Sequence, residues 1–494
     1  MTLDFKRICT KEIITSFILF LFAVSIRITY MQHTQVYQPL IHDAQKYFIA
    51  AYNLATFGNY SLELPNADGT PPESATDLSP GFPIFITYFF NENSTIESVV
   101  ESIQKAHVVL GSLTVVITFL LARLTISFTG ALLSGTLTAI SPHLISTESY
   151  VLTETLYTFV LMLGSLLFAL GWMKNKPLLT GISGLILAFS SQVRTISIFY
   201  IWFLLPLLFI CPEINGLTPR KKSVIHLFSL ILGFLVVTAC YHQFKGYAIS
   251  RDSWLKEHIT QDTRALSNQL KKTENNFIPN KKLHKQLSTI QYSVTPPNDY
   301  QSIKDPLEIL KNSIKPPKFF IQNLQFATKK EAFTYRQKNR KLTTEPFSKH
   351  PFKYIAWNLW GKYLTFWNWD NIYVGDVFIY PMTRTGFEEI RFHSFIHKLM
   401  HTIHILLYTL SLSGLILFLV LWSRSSLIFP EQGLAVSVSG FIYFHCICTV
   451  NAFYPRYSIP VRPFSYIVAA FMLTWTIKYL YTRSQKVNFS GLNT

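Results

Sequence analysis

Apolar residues run almost unbroken through stretches at about 13–31, 107–122, 129–145, 154–172, 178–193, 196–211, 223–240, 402–422, 433–450 and 464–481. A helix rises about 1.5 Å per residue and needs roughly 20 apolar residues to cross a bilayer. These runs predict an all-α polytopic membrane protein with about ten transmembrane helices, the range being about nine to twelve because several runs are short. The first run begins near Glu12, exceeds a signal-peptide core in length and is followed by no small-residue cleavage pattern. It reads as an uncleaved first span.

Lysine and arginine in the short connections set the sidedness. With the N-terminus in the cytoplasm, thirteen cations from Lys6 to Lys486 fall on inner segments, against Arg194, Arg456 and Arg462 on short outer loops. Both termini are therefore expected inside. Two long segments are expected outside: 32–106, with eight acids and two bases, and 241–400, with 25 bases and 13 acids. Long translocated loops escape the positive-inside rule, so the basic second loop fits an outer position. The expected organisation is a membrane module over 1–240 that includes the outer loop 32–106, a long periplasmic loop over 241–400, and C-terminal transmembrane helices over 401–494. The basic loop has two readings: a solvated surface touching anionic headgroups, and a lid over an anionic substrate.

Composition narrows the class. Of 494 residues, 49% belong to the apolar set, 15% are aromatic and only 14% are charged. Soluble domains carry about 25% charged residues, and disordered chains lack aromatics. Both classes are excluded. The net charge of +17 suggests nucleic acid when taken alone, but the spacing of the apolar runs overrides it, and no nucleic-acid partner is expected. Cys9, Cys211, Cys240, Cys446 and Cys448 form neither a disulfide framework nor a metal-ligand spacing. No repeat of about 20–50 residues is visible. Within the second loop, 251–350 reads as helices broken by Pro296–Pro297 and Pro316–Pro317. The stretch after it, with Trp357, Trp360, Trp367 and Trp369, is expected to lie flat on the outer leaflet.

Residues that can carry chemistry gather at the outer edge. The first outer loop opens with IHDAQKYFIAAYNLATFGNYS. Tyr47, Phe48, Ala51, Leu54 and Ala55 share a helical face and Gly58 is a stop, so a short surface helix beginning at Asp43 is expected. Asp43 is either a cap or a functional carboxylate. Pro80, Gly81 and Pro83 make a turn where backbone approaches a ligand or simply enters a helix. Glu154 opens an apolar helix, with Glu148 just before it. An ionisable group at that depth is a functional candidate, and a helix-start carboxylate also gains from the dipole. Arg194 and Arg456 either snorkel to lipid phosphate or bind a phosphate group of a substrate. Arg27 in the first span is expected to snorkel. His393, His397, His401 and His404 lie nearly on one helical face. They have no Cys or acidic partner pattern, so bundle-facing histidines are preferred to a divalent metal site.

In this order, the stretches HDAQKYFIAAYNLATFGNYS, LSPGFPIF, ISPHLISTESYVLTETLYTF, LLTGISGLILAFSSQVRT and FYPRYSIPVRPF resemble the polyprenyl-phosphate-dependent glycosyltransferases of the GT-C superfamily. They are most similar to the aminoarabinose transferases of lipid A and the dolichyl-phosphate-mannose protein mannosyltransferases. The resemblance spans 42–463 with 241–350 unmatched, and Ala44 stands where the family usually has a second acid. It implies the family's seven-span module and an integral membrane glycosyltransferase with no cofactor. The enzyme would move a sugar from a polyprenyl-phosphate donor to a lipid, glycan or protein acceptor at the outer face, inverting the anomeric carbon. Asp43 would be the base and Glu154 would orient the acceptor or share that role. Arg194 and Arg456 would bind the donor phosphate, and His42, Lys46 and Tyr457 would line the substrate. A lipid or sugar transporter (a flippase) and a membrane polysaccharide polymerase are the alternatives. A bacterial inner membrane is the expected location.

The sidedness has a direct test. Ser267→Cys is expected to label with an impermeant thiol reagent in intact cells, and Ser490→Cys to stay unlabelled, in a background without the five native cysteines. Equal labelling overturns the topology.

Overall fold

The computed structural model describes residues 5–64, 78–91, 93–209, 223–241, 362–371, 375–423, 432–450 and 455–490, with residues 72, 352 and 355. Two compact units divide the chain. The first comprises Met1–Asn298, Tyr380–Phe441 and Ile459–Thr494, the second Asp299–Ile379 and Ile442–Ser458.

The first unit begins with α1 (Phe5–Gln32), a short strand β1 (Gln35–Val36), α2 (Asp43–Phe57), α3 (Gly81–Thr87) and α4 (Ile96–Arg123). Then come α5 (Phe128–Ala139), α6 (Pro142–Thr147), α7 (Glu154–Met173), α8 (Pro177–Val193), α9 (Tyr200–Phe209) and α10 (Ser223–Tyr241). Five helices among the described residues are long and apolar enough to cross a membrane: Thr10–Gln32, Ile96–Arg123, Glu154–Met173, Ser223–Tyr241 and Arg391–Leu421. The protein is thus a multi-span helical membrane protein, as its hydropathy predicts.

Several runs behave differently from simple spans. The expected span 107–122 belongs to a helix that starts at Ile96, because Thr95 and Ser98 close a capping box there. The expected span 129–145 breaks. Its helix ends after 12 residues at Ala139 and a six-residue helix restarts at Pro142. Proline has no N–H to continue the ladder and crowds the turn before it. Twelve residues rise only about 18 Å, short of the roughly 30 Å hydrocarbon core. The run at 196–211 likewise divides into a 3-10 turn, Thr195–Phe199, and α9 with Pro206 inside.

Helix α4 is the centre of this unit, packed on α1, α5 and α7. Glu12 near the start of α1 pairs with Arg123 at the end of α4 at 3.1 Å, so the two run antiparallel. Helices α8 and α10 cross at Gly184 and Gly233, where an added methyl would overlap the Leu230 and Gly181 carbonyls respectively. Small residues let helix backbones approach where lipid offers no hydrophobic drive.

The second unit contains α11 (Lys362–Phe366). Trp367 Nε1 donates to His445 Nε2 at 3.0 Å, and Trp369 Nε1 to Asp376 Oδ1 at 2.6 Å. Both tryptophans are buried, 2% and 1% exposed. These two are core residues, which corrects the expectation that they lie on the leaflet surface. The hydrogen bonds explain why: each indole N–H has a partner inside the protein. Trp357, Trp360 and the broken helices expected over 251–350 lie outside the described residues, as does most of the basic loop 241–400 on which the lid reading rests.

In the first unit the chain resumes at Tyr380 and forms β2 (Met382–Arg384), α12 (Gly386–Glu389) and α13 (Arg391–Ser423). Strand β2 pairs antiparallel with β1, Gln35 opposite Arg384 and Val36 opposite Met382. The helix α14 (Gln432–Val450), of which residues up to Phe441 belong to the first unit and the rest to the second, and α15 (Arg462–Ser490) follow. The histidines of α13 point into the bundle: His393 Nε2 meets the Ile26 carbonyl at 2.9 Å, His397 lies 5.1 Å from the Phe387 ring, and His404 stacks on His143.

Filling the α8–α10 crossing tests this packing. Gly184→Val is expected to cost about 1–3 kcal/mol, the range for an overpacked contact. It should appear as a lower melting temperature of the detergent-solubilised protein. An unchanged melting temperature removes the crossing.

Candidate functional site

Asp43 is the first residue of α2 and is half-buried. The residue before it, His42, has φ 50° and ψ −115°. A non-glycine residue held there costs roughly 1–3 kcal/mol and persists only where the surroundings impose it. The surroundings are visible. The His42 ring lies 6.0 Å from that of Tyr380, whose carbonyl accepts the Tyr150 hydroxyl at 2.9 Å. Tyr37 N–H donates to the Pro381 carbonyl at 3.0 Å. The entry to α2 is therefore tied to the connection between α6 and α7 through the 380–382 segment.

The body of α2 is embedded in protein rather than laid on a surface. Ala44, Gln45, Phe48, Ile49, Ala50, Ala51, Tyr52 and Asn53 are buried, a wider arc than the single face expected, and Gly58 stops the helix at φ 61° as expected. Asn53 Nδ2 reaches the Ser61 and Glu63 carbonyls, which accounts for its burial. Tyr47 meets Phe82 of α3 edge-on at 5.2 Å, and Phe82 and Phe85 stack on His107 of α4. At Gly81 an added Cβ would stand 2.7 Å from the Gln192 carbonyl. The PGFP turn thus abuts the end of α8, two residues before Arg194.

Arg194 leaves α8 in extended backbone and closes an ion pair with Glu154, Nη1 to Oε1 at 3.0 Å. Glu154 is wholly buried and Arg194 is 12% exposed. The guanidinium also lies 5.8 Å from the centre of the Tyr157 ring, on the same helix as Glu154. The two residues expected in separate roles are thus direct partners. His107 lies beside the Glu148 and Tyr150 backbone and within electrostatic reach of Glu154.

Arg27 does not snorkel. It is 1% exposed, its Nε bonded to Glu148 Oε1 at 2.7 Å and its Nη1 to the Ala139 carbonyl at 3.1 Å. A carboxylate from elsewhere in the chain meets it inside the bundle, so the long reach to lipid phosphate is unnecessary. Burial raises the Glu148 carboxyl above its usual range, and the Arg27 charge acts against that rise. The signal for this pair was an arginine within an apolar run and an acid elsewhere at membrane depth. Their pairing across 121 residues was invisible. Arg462, expected as a cation of a short outer loop, is buried at 2% beside Tyr466.

His42 and Lys46 are exposed on α2. Arg456 and Tyr457 belong to the second unit, in the 3-10 turn Pro455–Val461, with the Arg456 guanidinium 5.9 Å from the Tyr457 ring centre. Among the described residues no group of three or more His, Cys, Asp or Glu is placed to hold a metal ion.

No protein-family model matches the sequence, and no curated protein matches it. Among solved structures the chain is similar to the archaeal oligosaccharyltransferase AglB from Archaeoglobus fulgidus in complex with an inhibitory peptide and a dolichol-phosphate. That alignment has a TM-score of 0.48 and 12% identity and covers 98% of this chain and 52% of that one. The apo form of the Archaeoglobus fulgidus oligosaccharyltransferase gives 0.47 and 13%, covering 97% and 52%. The form tethered to an acceptor peptide containing the NVT sequon gives 0.45 and 12%, covering 96% and 50%. The chain spans about half the length of these proteins. Superpositions of this quality assign no activity, which has to come from the residues themselves.

The Glu154–Arg194 pair predicts a stability coupling. Arg194→Gln removes the cation facing a wholly buried carboxylate and is expected to cost roughly 3–5 kcal/mol. Adding Glu154→Gln should recover most of the loss. Independent, additive effects of the two on the melting temperature would show that the ion pair does not stabilise the fold.

Proposed function

We propose that this protein is an integral membrane glycosyltransferase that moves a sugar from a polyprenyl-phosphate donor to an acceptor hydroxyl or amine at the membrane edge. The observation that carries the reading is the imposed backbone at His42. The His42 ring lies against Tyr380, whose carbonyl accepts the Tyr150 hydroxyl, and this supports a defined start of α2 at Asp43. The ordered sequence motifs that resemble the GT-C transferases supply the reaction class.

The chemistry needs few groups. A phosphate ester is already a good leaving group, so no acid is required for it. Asp43 takes the acceptor proton as the acceptor attacks the anomeric carbon, the carbon–oxygen bond to phosphate breaks, and the lipid phosphate departs. A single direct displacement inverts that carbon. Arg194 stabilises the charge that develops on phosphate, with Glu154 orienting Arg194 and the acceptor; Arg456, in the second unit, is the alternative cation for that role. His42, Lys46 and Tyr457 contact the substrates. The acceptor classes are lipid, glycan and protein. The membrane is a bacterial inner membrane, with both termini cytoplasmic.

A transporter of lipid-linked sugars is the second reading, and the buried Arg27–Glu148 pair favours it, because ionisable pairs inside a bundle also mark transport paths. Asp43→Asn separates the two. The substitution keeps size and removes a first-turn charge worth only about 0.3–1 kcal/mol to the helix. The variant is expected to accumulate normally and to lose transfer by roughly 100- to 10,000-fold, the contribution of a general base. Transfer above about a tenth of the wild-type rate moves the base role to Glu154. Movement of unaltered lipid-linked sugar without transfer, by the wild type, establishes the transporter.

A further inference from the structure

We infer that Arg27, Glu148 and Thr155 hold one buried water molecule, and that this water-completed triad is the positioning device for the Glu154–Arg194 pair. The inference about positioning rests on the proposed transferase reading. The water site stands without it.

Three buried polar atoms make no hydrogen bond within the protein: Arg27 Nη2, Glu148 Oε2 and Thr155 Oγ1. They come from α1, from the connection that ends α6 and from the first turn of α7. All three residues line the same cavity, of about 10 Å³, together with Gly111, Thr147 and Thr158. That is about the space one water occupies, and a buried water typically makes about three hydrogen bonds.

One water supplies a partner to each of the three atoms. Arg27 Nη2 donates to the water oxygen, and the two water hydrogens go to Glu148 Oε2 and Thr155 Oγ1. The same set of atoms excludes a charged occupant. A cation would face the guanidinium and an anion the carboxylate. Leaving the three atoms unsatisfied would forfeit about 1–3 kcal/mol for each.

The location gives the water a role. Thr155 is the neighbour of Glu154, and Glu148 opens the six-residue connection leading to it. Arg27 grips the end of α5 through the Ala139 carbonyl and that connection through Glu148. The water extends the grip to the first turn of α7. Gly111 makes the approach possible, because a methyl there would overlap Glu148 Oε1 and stand 3.0 Å from Arg27 Nε. The position of Glu154, and with it of Arg194, is therefore set from α1 across the bundle.

Thr155→Val keeps the shape and removes one partner of the water. Arg27→Met combined with Glu148→Leu replaces the whole polar set by apolar groups, a change that buried ion pairs commonly tolerate in stability. The experiment is cryo-electron microscopy of the full-length protein in nanodiscs, at a resolution that shows waters, with transfer kinetics on the same preparations. The wild type is expected to show one density within hydrogen-bond distance of all three atoms. Both variants should lose it, melt near the wild-type temperature, and separate Glu154 from Arg194 beyond 3.0 Å. Their kcat should fall roughly 10- to 100-fold, as a misplaced catalytic geometry implies, with KM for the donor nearly unchanged. A dry cavity in the wild type overturns the water. An unchanged Glu154–Arg194 separation with wild-type kcat overturns the positioning role. Absence of transfer by the wild type itself refutes the transferase reading, and the maps still decide the water.

Discussion

An arginine and a glutamate meet in the apolar interior between α1 and the α6–α7 connection, and most of the site geometry follows from what that meeting costs. Taking either ion out of water costs several kcal/mol, repaid only when the partners and the remaining donors are well placed. Arg27 satisfies those terms with Glu148 and with the carbonyl that ends α5. Each partner lies on a different segment, so the pair holds α1, α5 and the connection before α7 in one relation. The contrast with Lys105 and Glu101 is instructive. That pair is 2.8 Å apart but 73% and 64% exposed on one helix, where water screens it and it constrains nothing beyond one turn.

From that fixed connection the candidate site is assembled by aromatic and backbone contacts. Tyr150 reaches the Tyr380 carbonyl and His42 lies against the Tyr380 ring, which brings the start of α2 to the same end of the unit as Glu154. Tyr47, Phe82 and His107 form a second line of contact from α2 through α3 to α4. A carboxylate at the head of a helix, a buried carboxylate and an arginine are thus presented by elements that cannot move independently.

The tryptophans and histidines show how one composition serves different ends. A row of four histidines at helical spacing is compatible with metal, lipid interface or core, and His393, His397 and His404 take the third course because backbone carbonyls and aromatic rings stand opposite them. Trp367 and Trp369 are buried for a related reason. Their indole N–H groups find His445 and Asp376, which removes the need for a wet interface.

Hydropathy alone determined that the chain is helical and crosses a membrane, because sustained apolar length leaves a backbone no other way to satisfy its N–H and C=O groups in lipid. Local signals placed the stop of α2 at Gly58 and singled out Asp43 and Arg194 at the outer membrane edge and Glu154 at the start of an apolar helix. Local sequence could not tell that the run at 129–145 divides at Pro142, since its apolar residues read the same in a span and in two buried pieces. Nor could it tell that Arg27 belongs with Glu148 or that Glu154 belongs with Arg194. A charge in an apolar stretch announces only that a partner is needed. Which partner it finds is decided by the packing of helices far apart in sequence, and that is a property of the tertiary structure alone.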